Sequence, residues 1–256
     1  MRVDAAVEQL RGRGFAVLPG LYDADRVARL RAALGDVYRD AGEPTPYRAE
    51  GVAWPAENVE ISATGFVVHK LLGFTPALRH GLLAPDAVAV VRGALGDAMH
   101  LEMVGGAVTN HVRPFFRWHM HVGGIDDETY RRRGWRPTFA RPQRVAMLVY
   151  LDEMGPGTGQ LLVYPREPSD PIEPPFDVDA RAWSGQVAVE GPAGTVVLLE
   201  QSTWHAVLPR TREAPLRMFV GFWFAAPWAT EAERVDESLR GLGAVDEVLA
   251  SVLPRA

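Results

Sequence analysis

The chain contains no cysteine. That excludes disulfides and thiolate metal ligands, so any bound metal must take nitrogen or oxygen donors. Lysine is almost missing too: Lys70 is the only one, and the other basic side chains are arginines. Positive charge is in deficit, with a formal net charge of −5, which argues against a nucleic-acid partner. No apolar run approaches membrane-spanning length, and the start Met1-Arg2-Val3-Asp4-Ala5 has no apolar targeting segment. A soluble, cytoplasmic protein without a membrane partner is the expectation. Repeats, low-complexity tracts and linker-like stretches are also lacking, so residues 1–256 read as a single domain. With 47% hydrophobic residues, a chain of this length can bury one large core.

What is present divides into a helical first part and a strand-rich second part. Residues 3–11 read as a short helix ended by Gly12 and Gly14, and Phe15-Ala16-Val17-Leu18 as a strand closed by Pro19-Gly20. Asp23 is placed to cap a helix whose apolar residues Val27, Leu30, Leu34 and Val37 fall at helical spacing. Residues 40–58, with Gly42, Pro44, Pro46 and Pro55, read as a loop. An apolar stretch resumes from Thr64 to Leu72, Pro85 to Leu95 reads as a helix, and Leu101 to Val108 as a strand interrupted at Gly105-Gly106. Val145 to Leu151 has the length and composition of a buried strand. Followed by the Gly-rich connection 152–159 and then residues 160–165, it predicts a hairpin. Val187 to Val189, Gly194 to Leu199 and Leu216 to Phe224 supply further strands. Thr230-Glu231-Ala232-Glu233 has capping-box spacing and predicts a C-terminal helix containing Val235, Leu239, Val248 and Leu249. Helices followed by many short strands suggest a β-barrel or double-sheet jelly roll with helices packed outside.

The chemistry concentrates in Arg117-Trp118-His119-Met120-His121. Side chains alternate along a strand, so two histidines one residue apart share a face and their imidazoles can converge on one ion. A third nitrogen donor is available in Thr203-Trp204-His205, at the end of the apolar run Thr195 to Leu199. Read by themselves, these histidines fit a metal site and polar strand-edge residues equally well.

Four segments in order add weight to the metal reading. Gly14-Phe15-Ala16-Val17-Leu18-Pro19-Gly20-Leu21 followed by a helix resembles the opening of phytanoyl-CoA dioxygenase-like proteins. Trp118-His119-Met120-His121 stands where that family has Trp-His-x-Asp. Gly159-Gln160-Leu161-Leu162-Val163-Tyr164-Pro165 resembles its Gly-x-Leu-x-x-x-Pro segment, although Arg166 occupies a place where Gly-Ser-His often follows. Gly194 to His205 resembles its last ligand strand. The similarity covers roughly residues 10–225. It implies a double-stranded β-helix of the jelly-roll or cupin-like kind, mainly β with flanking helices, and an iron(II)- and 2-oxoglutarate-dependent oxygenase acting on a small organic molecule in specialised metabolism. Arg217, twelve residues after His205, matches the arginine that binds the far carboxylate of 2-oxoglutarate, and Arg113 is a second candidate for that anion. A guanidinium suits the task because its fork meets a carboxylate through two bonds. Arg217 also sits in an otherwise apolar strand, where an unpaired charge is costly; the alternative is an edge-strand arginine facing water.

One position departs from the family pattern. His121 replaces the expected aspartate, so a His119, His121, His205 site would leave the metal one charge more positive than two histidines and a carboxylate. Spacing favours His121 as the third ligand, with Asp126, Asp127 or Glu102 as carboxylate alternatives. Three histidines also fit an enzyme that does not use 2-oxoglutarate, either another iron dioxygenase or a zinc lyase or hydrolase, and a non-catalytic ligand-binding barrel. His69, His80, His100 and His111 have no partner at ligand spacing and read as structural or exposed. Arg131, Arg132, Arg133 and Arg136 read as a solvated run, with an acidic substrate or carrier as the alternative. The connections 122–143 and 166–186, with Phe115, Phe116, Trp135 and Trp183, are expected to wall a pocket for an apolar or aromatic substrate.

Overall fold

The computed structural model describes residues 2–44, 52–53, 58–62, 64–110, 113–122, 125–126, 132, 139–212, 216–232, 235–243 and 245–254. Strands β1 (Phe15–Leu18), β2 (Val52–Ala53), β3 (Val59–Ser62), β4 (Gly65–Val68), β5 (His100–Thr109), β9 (Arg144–Tyr150), β12 (Val196–Glu200) and β14 (Arg217–Ala225) form one sheet. Its order is β1-β12-β9-β14-β5-β4-β3-β2. A smaller sheet, in the order β11-β10-β13-β6, takes β6 (Phe116–His119), β10 (Leu161–Val163), β11 (Val187–Ala188) and β13 (His205–Val207). The short β7 (His121–Val122) and β8 (Ile125–Asp126) pair with each other. All these pairings are antiparallel, and the two sheets stack as a jelly-roll sandwich rather than closing into a barrel.

Alternation along the strands sets three buried layers. From the large sheet, Val104, Val145, Met147, Val149, Val196, Leu198, Val220 and Phe222 face the helices and form the main core. Their neighbours Ala146, Leu148, Tyr150, Val197 and Leu199 face the other way and meet Leu161 and Val163 of the small sheet. A third cluster, with Trp118, Trp183, Trp204, Met120 and Ile172, covers the small sheet's outer side. Helices α1 (Val3–Arg13), α2 (Ala24–Asp40), α3 (Leu71–Phe74) and α4 (Pro85–Leu95) lie on the main-core side. Asp23 caps α2 as its sequence predicts, accepting a 2.8 Å bond from Arg26 N.

The structure corrects five expectations. Helix α1 runs past Gly12 to Arg13 and ends at Gly14, whose φ of +74° gives the left-handed turn that stops it. β5 is not broken at Gly105-Gly106, because both glycines stay in register with β14. Space explains the residue type at Gly106: a Cβ there would lie 3.0 Å from both methyl carbons of Leu34 on α2. The strands expected to form a hairpin belong to different sheets. β9 pairs with β12 and β14, and β10 pairs with β11 and β13. Thr230 opens no helix; its carbonyl and hydroxyl accept from Arg144 instead. The helical turns near the C-terminus are a 3-10 turn, Glu237–Gly241, capped by Asp236, and α5 (Glu247–Ala250), capped by Asp246. Within the expected loop 40–58, Val52–Ala53 pairs with β3.

Candidate metal centre

The alternation that builds the layers also sorts the histidines from their neighbours. Trp118, Met120 and Trp204 turn outward into the tryptophan cluster, which leaves His119, His121 and His205 facing the cavity between the sheets. His119 ends β6 and pairs directly with His205 at the start of β13. The backbone N–H of His121 donates to the Gln201 carbonyl at 2.9 Å, which ties the third histidine to the turn before His205. Ring centroids stand 4.1 Å apart for His119 and His205, 4.7 Å for His119 and His121, and 5.4 Å for His121 and His205. One ring nitrogen from each lies within 4.8 Å of the others. With metal–nitrogen bonds of about 2.0–2.1 Å, small ring rotations let all three share an ion.

Tautomers are set by the second nitrogens. His119 Nδ1 lies 2.8 Å from the Arg117 carbonyl and His205 Nδ1 lies 2.9 Å from the Thr203 carbonyl. A carbonyl only accepts, so Nδ1 carries the hydrogen in both rings and Nε2 keeps its lone pair for a metal. Burial, with the neighbouring imidazoles, holds the His119 pKa well below its usual value and pushes His205 down to about 3. Both rings are therefore neutral at physiological pH, the state that ligation requires.

The carboxylate alternatives separate. Glu102 lines the cavity, but both its oxygens accept from the buried Arg144, at 2.8 Å from Nε and 3.0 Å from Nη2. Asp126 can approach the histidines only if the chain folds back after His121. The chain does fold back, and the β7–β8 pairing sets the Asp126 backbone opposite His121. Asp127 lies outside the described residues.

The cavity, of about 240 Å³, runs between the sheets from the histidines past Tyr150, Leu148, Phe219 and Trp223. Arg217 stands next to Tyr150, its guanidinium carbon 4.9 Å from the ring centroid. It begins β14, which lies between β9 and β5, so the edge-strand alternative does not hold. Arg217 is 5% exposed, and among the described residues its Nε and Nη2 have no hydrogen-bond partner. Burial opposes its charge, and Tyr150 and then Asp152 offset part of that. An arginine does not deprotonate in proteins, so a buried, under-coordinated guanidinium calls for an anion. Arg113 is also buried and, like Arg217, acts on Tyr150 by its charge; it donates to the Leu208 carbonyl. These donors, three imidazoles and a buried guanidinium, suit a divalent metal with an anionic co-substrate.

The rest of the pocket differs from the sequence reading. Phe116 lines it, but Trp183 stacks on Trp118 at 4.2 Å in the outer cluster, and Phe115 packs against that cluster. The described part of 166–186 covers this outer side, with Ile172 and Val178, and does not line the cavity. Trp135, Arg131, Arg133, Arg136 and His111 lie outside the described residues, and Arg132 is exposed. His69 was expected to be structural or exposed. It lines the cavity instead, 3.5 Å from Glu60. Gln201, Tyr150 and Trp223 also line the cavity; only inward-facing positions on β9 and β14, and for Gln201 just after β12, mark them, and those depend on sheet pairing.

Comparison with known proteins supports the same fold. The carbocyclase SnoK of nogalamycin biosynthesis, described as non-heme and α-ketoglutarate dependent, aligns with a TM-score of 0.66 at 20% identity, covering 94% of this chain and 91% of its own. AviO1 from Streptomyces viridochromogenes Tue57 aligns with a TM-score of 0.63 at 20% identity, over 90% and 98% of the two chains. HygX from Streptomyces hygroscopicus, with nickel and 2-oxoglutarate bound, gives 0.58 at 18% identity over 94% and 95%. No curated protein matches. The profile of the phytanoyl-CoA dioxygenase (PhyH) family matches residues 10–214, which take in all three histidines. The chain belongs to that family of iron(II)- and 2-oxoglutarate-dependent oxygenases.

Proposed function

We propose that His119, His121 and His205 hold the iron, that Arg217 binds the far carboxylate of 2-oxoglutarate, and that Arg113 adds positive potential beside it. The observation that carries this reading is Arg217: a buried guanidinium with two nitrogens unbonded among the described residues, on a central strand whose cavity face leads past Phe219 and Tyr150 toward the histidines. It also argues against a zinc hydrolase or a bare ligand-binding sandwich, neither of which needs a buried anion site there. The bound metal supplies oxygen activation coupled to oxidative decarboxylation of the oxoacid. The protein's own part is to keep the His119 and His205 imidazoles neutral, orient the oxoacid between two fixed ends and exclude water with an apolar wall.

The substrate on this reading is a small organic molecule with an apolar or aromatic body, of the specialised-metabolite kind. Leu148, Phe219, Trp223, Met103 and Phe116 support that choice, as does the fold shared with SnoN, crystallised with Fe3+, α-ketoglutarate and nogalamycin RO. Metal analysis and 2-oxoglutarate titration test the proposal. One divalent metal per chain and saturable 2-oxoglutarate binding are expected, with most metal lost in His119→Ala, His121→Ala and His205→Ala. Metal retained in His121→Ala but lost in Asp126→Ala would move the third ligand to Asp126. Full metal occupancy in the His119 and His205 variants would refute the site.

A further inference from the structure

Two glycines face each other in the middle of the large sheet. Gly105 on β5 and Gly221 on β14 are direct cross-strand partners, and neither has a positive φ. Their backbones would accept any residue, so conformation does not explain them. Space does. A Cβ on Gly221 would come within 2.6 Å of Trp223 Cη2 and 2.9 Å of Cζ3, and one on Gly105 would meet the Val68 carbonyl oxygen at 2.7 Å as well as Trp223 Cζ3 at 3.2 Å. The indole of Trp223 therefore lies down across the gap that the two missing side chains leave. Glycine inside a strand weakens it and marks close approach of another group, and here that group is a tryptophan ring. The β-bulge between Trp223 and Phe224 is the kind of irregularity that re-aims a side chain. Trp223 remains partly exposed and lines the cavity that also holds the three histidines.

A second observation lies one step along the same face. Gln201 follows β12, where its backbone N–H bonds to the Arg144 carbonyl at 3.1 Å. That places it just beyond the row Trp223, Ala146 and Leu199 set by the strand register. The side chain is 5% exposed and lines the cavity, and its Oε1 has no hydrogen-bond partner among the described residues. A buried acceptor without a donor costs stability, and a bound molecule carrying an O–H or N–H would remove that cost.

We propose that Trp223 is a stacking platform for a flat ring of the substrate, and that Gln201 accepts a hydrogen bond from a hydroxyl or amine on that ring beside the metal. This inference rests on the cavity being the oxygenase's substrate pocket and narrows the substrate to a planar ring bearing a donor. Trp223 fixes the plane of the ring, and Gln201 fixes which edge turns toward the histidines.

Isothermal titration of the Ni(II)-loaded protein, with and without 2-oxoglutarate, tests this with three probes: 2-naphthol, its saturated counterpart trans-2-decalol, and 2-methoxynaphthalene, which lacks the donor. The parent is expected to bind 2-naphthol about three- to tenfold more tightly than trans-2-decalol, the scale of an aromatic pair beyond area burial. Trp223→Leu should abolish that preference, and Trp223→Phe should keep part of it. Gly221→Ala should weaken it without touching the indole chemically, because the new methyl displaces the ring. Gln201→Leu should abolish the preference for 2-naphthol over 2-methoxynaphthalene. Equal binding of the flat and saturated probes by the parent, or an unchanged preference in both Trp223→Leu and Gly221→Ala, would overturn the platform. The 2-oxoglutarate titration keeps the two readings apart. A parent that prefers 2-naphthol through Trp223 but binds no 2-oxoglutarate retains the platform and loses the oxygenase assignment.

Discussion

Arg217 carries a full charge into a central strand flanked by Met218, Val220 and Phe222, all buried. Desolvation of such a group is tolerable only when an anion completes its bonds. The sequence conveyed the cost, since the run Leu216 to Phe224 is apolar apart from that one residue. It did not convey the partner: Tyr150 is far away in the chain and is brought alongside by pairing of β9 with β14. Replacing the fork with an ammonium should weaken 2-oxoglutarate binding in Arg217→Lys by about 1.5–3 kcal/mol, because one charge-assisted bond is lost while the charge remains. Calorimetric titration of the metal-loaded protein reads this directly, and unchanged affinity would remove Arg217 from the co-substrate site. The histidines behave in the opposite way. Their spacing announced a shared face, yet the choice of Nε2 as donor comes from carbonyls of Arg117 and Thr203, a matter of local backbone path rather than of residue type.

The element that delivers His205 is the turn from Glu200 to Trp204, and it is braced from beneath. Glu200 accepts from the Ser202 N–H at 2.9 Å and from its hydroxyl, while Arg166 donates to the Ser202 carbonyl at 2.8 Å and to its hydroxyl oxygen at 2.7 Å. Arg166, the residue that departs from the family's usual run, is thus a strut of this turn. Burial raises the Glu200 pKa to about 7, against the lowering effects of Ser202 and Arg166. The native state therefore holds a proton that an unfolded glutamate, with its pKa near 4.5, has already released. The resulting stabilisation is full below about pH 4.5 and is lost as pH rises through 7. Glu200→Gln should remove that dependence and be more stable than the parent at pH 8, by an amount on the order of a few kcal/mol. Parallel melting curves from pH 5 to 8 for the two proteins would contradict it. Element pairing was the least legible level. β9, its Gly-rich connection and β10 have every local mark of a hairpin, but β9 is buried on both faces and takes β12 and β14 as partners. Local composition describes a strand's burial and is silent on which distant strand satisfies its backbone.

At the scale of the whole molecule, the main core joins Ala6, near one end of the chain, to Val252, near the other, through strands from β4 to β14. The ends are tied in by hydrogen bonds as well: Leu101 N–H donates to the Val252 carbonyl at 2.7 Å, and Arg166 N–H to the Arg13 carbonyl at 3.1 Å. With no described layer able to separate from the rest without exposing this core, calorimetry should give one cooperative transition for the metal-free protein. Two resolved transitions would divide the chain into separately folding parts. No described helix is long and apolar enough to cross a membrane. The sequence by itself determined the residue types available for chemistry: without cysteine the donors had to be nitrogen or oxygen, and period-two alternation was enough to turn His119 and His121 to one side while Trp118 and Met120 went to the other. It also determined the strand-rich second half and the helix capped at Asp23, because those depend on patterns spanning only a few residues. Tertiary structure decided the rest. It set His205 opposite His119, engaged Glu102 with Arg144, folded Asp126 back across from His121, and laid Trp223 over Gly105 and Gly221. Each of these is a meeting of residues remote in the chain, or a turn whose direction no side chain announces, and only the register of paired strands brings them together.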